Sequence, residues 1–298
     1  MLTVRSPATC GNLGSGFDAL SMAIELCNEF SAEPARRLSI ENLGEGAECL
    51  PSSPDHLVYR ALERVYRACE RPPPALRLRC ENRIPLSRGL GSSSSAISAG
   101  LLLGNRLLGD ALSLDQLLVL GTEMEGHPDN VVSCLLGGIQ VSVESDGRVL
   151  HAGVPINVPL QAVLFVPDFP MDTRAARRLL PRQVALRDAV FNLGRSALLV
   201  AALANGHPEL LREAVDDRLH QPPRKALFPA MPLMFEAALE AGALAACLSG
   251  AGSAILALAT EHLDNVAAGL EGCAARNNVA GSVRVVSIRR YGAEIIEN

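Results

Sequence analysis

Between Pro85 and Gly104 the chain reads PLSRGLGSSSSAISAGLLLG. Two glycines flank one leucine, four serines follow, and an apolar run at helical spacing comes next. Glycines let a backbone fold back so that several N–H groups point into one concavity. Serines add hydroxyls and a helix start, and the positive end of the following helix dipole is aimed at the same spot. A di- or triphosphate is the ligand that suits such a turn. The pattern is not the lysine-bearing G-x-x-x-x-G-K-[ST] loop, and it is not a dinucleotide fingerprint, because Ser94 stands where the third glycine would be. Lys225 is the only lysine in 298 residues. Phosphate charge must therefore be met by backbone amides, a metal ion and arginine.

The segment GTEMEGHPDNV (121–131) suggests the metal, with Glu123 and Glu125 at a helix end and His127, Asp129 and Asn130 beyond it. Mg2+ takes one or two carboxylates together with phosphate oxygens and water, and either glutamate beside the serine turn would supply one. Two further small-residue loops, PATCGNLGSGFD (7–18) and LSGAGSAILAL (248–258), each follow a strand-like run.

The elements that must position these groups follow from periodicity. Leu2–Ser6 reads as a strand cut off by Pro7, and Asp18–Phe30 as a second one. Asp55–Ala68 has a helical pattern that ends before Pro72, and ALRLRCE (75–81) alternates as a strand does. The serine turn opens a helix over 93–108, and a further helix starts at Ser113 with Asp115 in its first turn. A hairpin crosses Ser145–Gly147. The prolines of GVPINVP (153–159) mark a boundary between domains 1–155 and 156–298. Beyond it come a strand at Leu160–Val166, helices near 173–180, 183–205 and 207–217, and a proline-rich loop at 220–232 with a helix after it. A strand–turn–strand over 243–259, a helix and a last strand at 282–288 complete the chain. Strands and helices gather in small groups instead of strictly alternating, so the class is α+β, and a Rossmann dehydrogenase is excluded.

Composition narrows the function further. Hydrophobic residues make up 48% and charged ones 20%, with no Trp, so a core of Leu, Val, Ile and Ala is expected. Net charge is −5 with no basic block, which argues against a nucleic-acid partner. No apolar run is long enough for a bilayer, so no membrane partner is expected. Eight scattered cysteines without C-x-x-C spacing, and no signal-like pattern in MLTVRSPATC, lead us to expect a cytoplasmic protein with reduced thiols.

With three small-residue loops and the acidic segment in this order, the chain resembles the GHMP kinases, a family that phosphorylates small metabolites. PLSRGLGSSSSA fits that family's central PxxxGLGSSxA loop with Ser95 in place of Ala. PATCGNLGSGFD is similar to PATSANLGxGFD, and EGHPDNVVSCLLGG to EGHPDNVAPALxGG, the forms found in its homoserine-phosphorylating branch. DTRAARRLLP (172–181) and DRLHQPPR (217–224) are similar to that branch's T-x-x-A-R-x-x-L-P and D-x-x-H-x-P-x-R.

The resemblance covers essentially the whole chain and implies a two-domain GHMP kinase fold. Its N-terminal domain would be like ribosomal protein S5 domain 2, and its C-terminal domain a ferredoxin-like α/β sandwich. It implies ATP and Mg2+ as cofactors, L-homoserine as substrate, and an assembly compatible with a homodimer. Pro85, Arg88, Gly89, Leu90, Gly91, Ser92, Ser93, Ser94 and Ser95 would hold the ATP phosphates, supported by Gly250, Gly252 and Ser253 of the C-terminal loop. Glu123, four residues before His127, would hold the metal, with Glu125 the alternative and Ser93 or Ser94 adding a hydroxyl. A zwitterionic amino acid needs a bidentate donor for its carboxylate. Arg177 and Arg224 match the branch's arginines for that role, Asp18 its ammonium acceptor and Asn12 a neutral bond. Asn130 would orient the attacking hydroxyl, with Asp129 structural and no side-chain base. Alternatives are a GHMP kinase for threonine or a mevalonate-like alcohol, and an inactive nucleotide-binding relative. Val132–Ser133–Cys134 replaces the branch's Ala–Pro–Ala and is expected to reshape the substrate pocket, whereas Cys10–Gly11 keeps small residues.

Overall fold

The computed structural model describes residues 1–296. Its first half runs β1 (Leu2–Gly11), β2 (Leu20–Pro34), β3 (Ser39–Gly44), α1 (Leu57–Ala68), β4 (Leu76–Asn82), α2 (Ser92–Leu107), α3 (Leu114–Glu125), α4 (Asp129–Leu136), β5 (Ile139–Ser145) and β6 (Arg148–Val154). The second half runs β7 (Gln161–Pro167), α5 (Thr173–Arg178), α6 (Leu186–Asn205), α7 (Leu211–Ala214), α8 (Gln221–Arg224), α9 (Met231–Glu240), β8 (Ala245–Leu248), β9 (Ile255–Ala259), α10 (Leu263–Arg276), β10 (Gly281–Ser287) and β11 (Glu294–Ile296).

The first sheet has the order β11-β1-β2-β4-β3, with β5 added to β2 and β6 to β5. One face is covered by α1 and α2, where Val4, Phe30 and Leu78 meet Val58, Leu62 and Leu103. The second sheet, β10-β7-β9-β8, is antiparallel throughout. Counted within its own unit, that is the 4-1-3-2 order of a ferredoxin-like sandwich.

Side chains alternate across a strand, and β7 uses both faces. Val163 and Phe165 pack with Met234, Ala238, Val266 and Leu270 of α9 and α10. Ala162 and Leu164 face the other way, joining Leu199 and Leu203 of α6 and Ala8, Cys10, Met22 and Ile24 of the first sheet. A sheet covered on both sides reads as a continuous apolar run, which is why QAVLFVP is buried almost end to end. The two units are thus joined by a common core.

Several elements differ from their expected form. β1 does not stop at Pro7. It continues to Gly11 through a register shift between Pro7 and Ala8, where the missing proline N–H leaves no gap in the ladder. β3 escaped notice because it pairs in parallel with β4 across an intervening helix, a contact without a local signature. α4 was hidden behind Pro128, which serves as its N-cap residue. The proline-rich loop contains the single turn α8, since proline is tolerated in a first helical turn. The last strand, β11, leaves the second unit and pairs with β1 in the first sheet. α3 begins where expected, with a reciprocal capping box between Ser113 and Gln116. Among the described residues no helix is long and apolar enough to cross a membrane, and all eight cysteines are free.

Candidate active site

The three small-residue loops converge on one cleft of about 400 Å³ between the two units. The Thr9 amide donates to the Leu90 carbonyl at 3.1 Å, the Gly250 amide to Gly11 at 3.0 Å, and the Ala254 amide to Arg88 at 2.9 Å. Ser249 Oγ donates to the Gly89 carbonyl at 2.7 Å. Only glycine fits at two points of this weld. Gly89 has φ +75°, and a Cβ there would lie 2.1 Å from the Ser249 carbonyl oxygen. Gly91 has φ +64°, and its Cβ would lie 1.9 Å from Thr9 Oγ1. Gly91 caps α2 without a side chain, so the amides of Ser92, Ser93 and Ser94 precede the first helical bond, from Ser95 N–H to the Gly91 carbonyl. Pro85, Gly89, Leu90, Gly91, Ser92, Ser93 and Gly250 line the cleft.

Five of the residues expected at the phosphates turn their side chains elsewhere or stand behind the turn, although Arg88 also lines the cleft and the Ser94 amide is open at the start of α2. Arg88 donates to the carbonyls of Pro167 at 2.7 Å and Leu86 at 2.8 Å, and also to that of Asp168. Its guanidinium ties the turn to the second unit. Ser94 and Ser95 are fully buried, Ser95 Oγ donating to the Ser6 carbonyl at 3.1 Å. Ser253 Oγ donates to the Phe169 carbonyl at 2.7 Å. Gly252 packs against Leu248 and Met171, so it supports the turn from behind.

The two glutamates offered for the metal, Glu123 and Glu125, lie in different surroundings. Glu123 pairs with Arg64 of α1 on an exposed face, whereas Glu125 lines the cleft and accepts from Ser93 Oγ at 2.6 Å. Residues two apart on a helix lie about 200° apart around its axis, so only one of them can face α2.

At the start of α4, Asn130 Oδ1 accepts from Thr9 Oγ1 at 2.7 Å, and its Nδ2 donates to Asp129 Oδ2 at 3.3 Å. The other Asp129 oxygen meets His127 Nδ1 at 2.5 Å. Burial pulls the His127 pKa down, but the bond and charge of Asp129, with Glu125 beyond, outweigh it and raise it above the usual histidine value. Ser133 and Cys134 turn away from the cleft. Ser133 Oγ meets Ser21 Oγ at 2.6 Å, and Cys134 Sγ meets Ser6 Oγ at 3.2 Å. Val132, Ser133 and Cys134 are all buried and none lines the cleft, so the Val–Ser–Cys segment lies behind the pocket wall and not in it.

The far end of the cleft collects the charged groups. Arg177 grips Asp18 with two bonds, at 2.9 and 2.7 Å. Arg224 is only 1% exposed, yet all its hydrogen bonds run through Nη1, to His220 Nδ1 at 2.5 Å and the Gly250 carbonyl at 3.3 Å. Its Nε has no partner, and among the described residues no carboxylate lies within ion-pair distance. Burial, then the nearby charge of Arg177, lowers its pKa to about 10. The Phe17 ring lies near both guanidinium groups, 5.5 Å from Arg177 Cζ and 5.7 Å from Arg224 Cζ. Asn12 spends its carboxamide on the scaffold, donating to the Gly250 carbonyl at 2.9 Å and accepting from the Asp18 amide at 3.0 Å. It sets the Asp18 backbone, which has φ +55°.

Sequence reasoning overlooked Thr9, which lies inside the first loop, and gave His127 and His220 no role. It also missed the opposite, mostly apolar end of the cleft, lined by Leu50, His56, Leu57, Asn82 and Leu86. These five residues come from separate segments and share no spacing that could have revealed them. Asn82 Nδ2 is buried there without a partner.

The family models described as GHMP kinases N terminal domain and GHMP kinases C terminal match residues 56–138 and 199–275. The homoserine kinase of Moorella thermoacetica is 39% identical over 296 residues, 99% of this chain and 100% of that protein. That of Thermosynechococcus vestitus is 40% identical over 300 residues, covering all of both chains. Among solved structures, homoserine kinase from Cytophaga hutchinsonii superposes with a TM-score of 0.90 at 28% identity, over 99% of this chain and 97% of the other. L. major mevalonate kinase in complex with R-mevalonate shares the fold, with a TM-score of 0.70 at 14% identity over 97% and 96% of the two chains.

Proposed function

Because the chain belongs to the GHMP kinase family and matches its homoserine kinases from end to end, we propose that it phosphorylates L-homoserine with ATP. One observation carries the substrate reading. A buried arginine without an anionic partner stands beside an Asp–Arg pair, in the same cleft as an amide-lined anion turn. A small zwitterion satisfies those groups. Its ammonium goes to Asp18, and its carboxylate to Arg224 together with Arg177 as that residue is released from Asp18.

The ATP tail lies against the open amides of the serine turn, and the base fits the apolar end, where the Asn82 amide faces a ring acceptor. Phosphoryl transfer is mainly a matter of positioning and charge stabilisation. The substrate hydroxyl forms a bond to the γ-phosphorus in line with the breaking β–γ bridge, and ADP departs. Asn130, fixed by Thr9, holds that hydroxyl. On this reading the hydroxyl proton passes directly to an oxygen of the transferred phosphoryl group, and Asp129 serves to hold His127 and Asn130 in place.

The residues present suit Mg2+. Ser93 Oγ and Glu125 Oε1 are hard oxygens 2.6 Å apart beside the serine turn, in a cleft with room for phosphate oxygens and water. When bound there, Mg2+ supplies charge neutralisation at the phosphates. Eight free thiols and dependence on ATP fit a cytoplasmic setting. ADP release measured side by side with L-homoserine, L-threonine, L-serine and mevalonate tests the assignment. Homoserine is expected to give the highest kcat/KM, and turnover of mevalonate but not homoserine would overturn it.

A further inference from the structure

Arg224 raises a physical question: what holds a fully buried guanidinium in place without neutralising it? The answer lies one helical turn earlier. His220 is 1% exposed, and its Nε2 lies 2.6 Å from the Gly14 carbonyl. A carbonyl can only accept, so Nε2 carries the proton and Nδ1 keeps its lone pair for Arg224 Nη1. Burial, reinforced by Arg224 and only partly opposed by Asp217, brings the His220 pKa down to about 4, so the ring is neutral in ordinary buffers.

The ring itself is clamped. Asp217 accepts from the amides of His220 at 2.9 Å, Gln221 at 2.7 Å and Leu219 at 2.9 Å, and from Asn192 Nδ2 at 2.7 Å. Phe17 stacks on the imidazole at 5.1 Å. Phe17 is the neighbour of Asp18, and Gly14 lies in the same loop. The imidazole therefore connects the loop bearing the ammonium acceptor to the arginine that would take the carboxylate.

We propose that His220 is the positioning residue of the amino-acid site: a neutral, single-tautomer acceptor that aims Arg224 and leaves its positive charge free for the substrate carboxylate. This rests on the homoserine reading above. Had the acceptor been a carboxylate, Arg224 would be paired before any ligand arrived, and attraction for a second carboxylate would be largely cancelled. The 1% exposed ring does not line the cleft, so it acts on a ligand only through what it holds, Arg224 and the Gly14–Asp18 loop.

A matched pair of variants isolates the charge. His220→Asn and His220→Asp both place an oxygen near the position of Nδ1, and both give up the bond to Gly14; they match in size and differ in charge and in the single NH2-for-oxygen exchange that goes with it. Steady-state kinetics with L-homoserine, and with 3-aminopropan-1-ol as the same molecule without its carboxylate, provide the readout. His220→Asn is expected to raise the homoserine KM by less than about fivefold. His220→Asp is expected to raise it by about tenfold to a hundredfold, the range for losing a hydrogen bond to a charged group. In both, the ATP KM and the kcat stay within about threefold of wild type, and the 3-aminopropan-1-ol kinetics do not separate the two variants. A purely structural role would lower both variants' melting temperatures and activities alike. Equal homoserine KM values for Asn and Asp would overturn the proposal while wild-type turnover leaves the kinase reading standing; a wild type inert toward homoserine would overturn both.

Discussion

Replacing Arg224 by methionine should make the protein more stable and blind to its substrate. The side chain is 1% exposed, and burial, followed by the Arg177 charge, holds its pKa at about 10, more than two units below the ordinary arginine value. At roughly 1.4 kcal/mol per pKa unit, folding disfavours the charged form by about 3 kcal/mol. The direction follows from proton linkage. From about pH 10 up to the ordinary arginine value the unfolded chain binds more protons than the folded one, so stability rises with pH only across that window, and at neutral pH the whole penalty is present.

Methionine keeps the stem of the side chain as far as Nε and removes the charge; the place left by the guanidinium adjoins the cleft, so water can fill it. It leaves His220 Nδ1 without a donor, at a cost of about 1–2 kcal/mol, while the Gly250 carbonyl keeps its bond from Asn12. The net gain is at most about 1–2 kcal/mol, or about 2–3 °C in Tm for a chain of this size. Differential scanning fluorimetry with and without L-homoserine reads both halves of the argument. Wild type should melt lower but rise on adding homoserine, because a ligand that binds only the folded state stabilises it. Arg224→Met should melt higher and not respond. A variant that melts below wild type, or that keeps the homoserine-dependent shift, would show that Arg224 is neither destabilising nor the carboxylate receptor.

The two neighbouring glutamates should separate cleanly. Glu123→Gln loses an exposed ion pair with Arg64 and should keep kcat within about twofold and stability within about 1 kcal/mol. Glu125→Gln should lower kcat by about a hundredfold or more and raise the Mg2+ concentration needed for half-maximal rate; the reverse ranking would restore Glu123 to the site. At the hydroxyl end, Asn130→Ala should abolish turnover while Asp129→Asn stays active, and an inactive Asp129→Asn with an active Asn130→Ala would call for a side-chain base. His127 has a raised pKa, so its contribution to stability is fully present below pH 6.5 and fades as pH rises through its folded value. Asp129→Asn leaves burial as the main influence, so an NMR titration should move the His127 midpoint from above 6.5 to below it.

What could be read from the chain, and what could not, divides along a physical line. Helix α2, strands β4, β7, β9 and β10 and the three glycine loops rest on residue types at short spacing, so they were visible before any coordinates. Side-chain direction is not local. Glu123 and Glu125 are chemically alike, and only the packing of α3 against α1 and α2 decides which of them meets Ser93. Arg88 sits in the middle of the phosphate motif, yet three backbone carbonyls claim its guanidinium. β3 and β11 depend on partners far away in sequence, and so neither could be placed. Arginines suited to a carboxylate could be named at 177 and 224, but not the difference between them. Arg177 has a carboxylate already, and Arg224 has a neutral imidazole. That difference matters for binding. With both arginines paired, an incoming zwitterion would have to break as many ionic contacts as it made. With one charge held open, its carboxylate gains Arg224 outright, and exchange of the ammonium for Arg177 at Asp18 then costs little. Under the proposed substrate assignment, selectivity for amino acids over simple alcohols is expected to rest on that one unpaired charge.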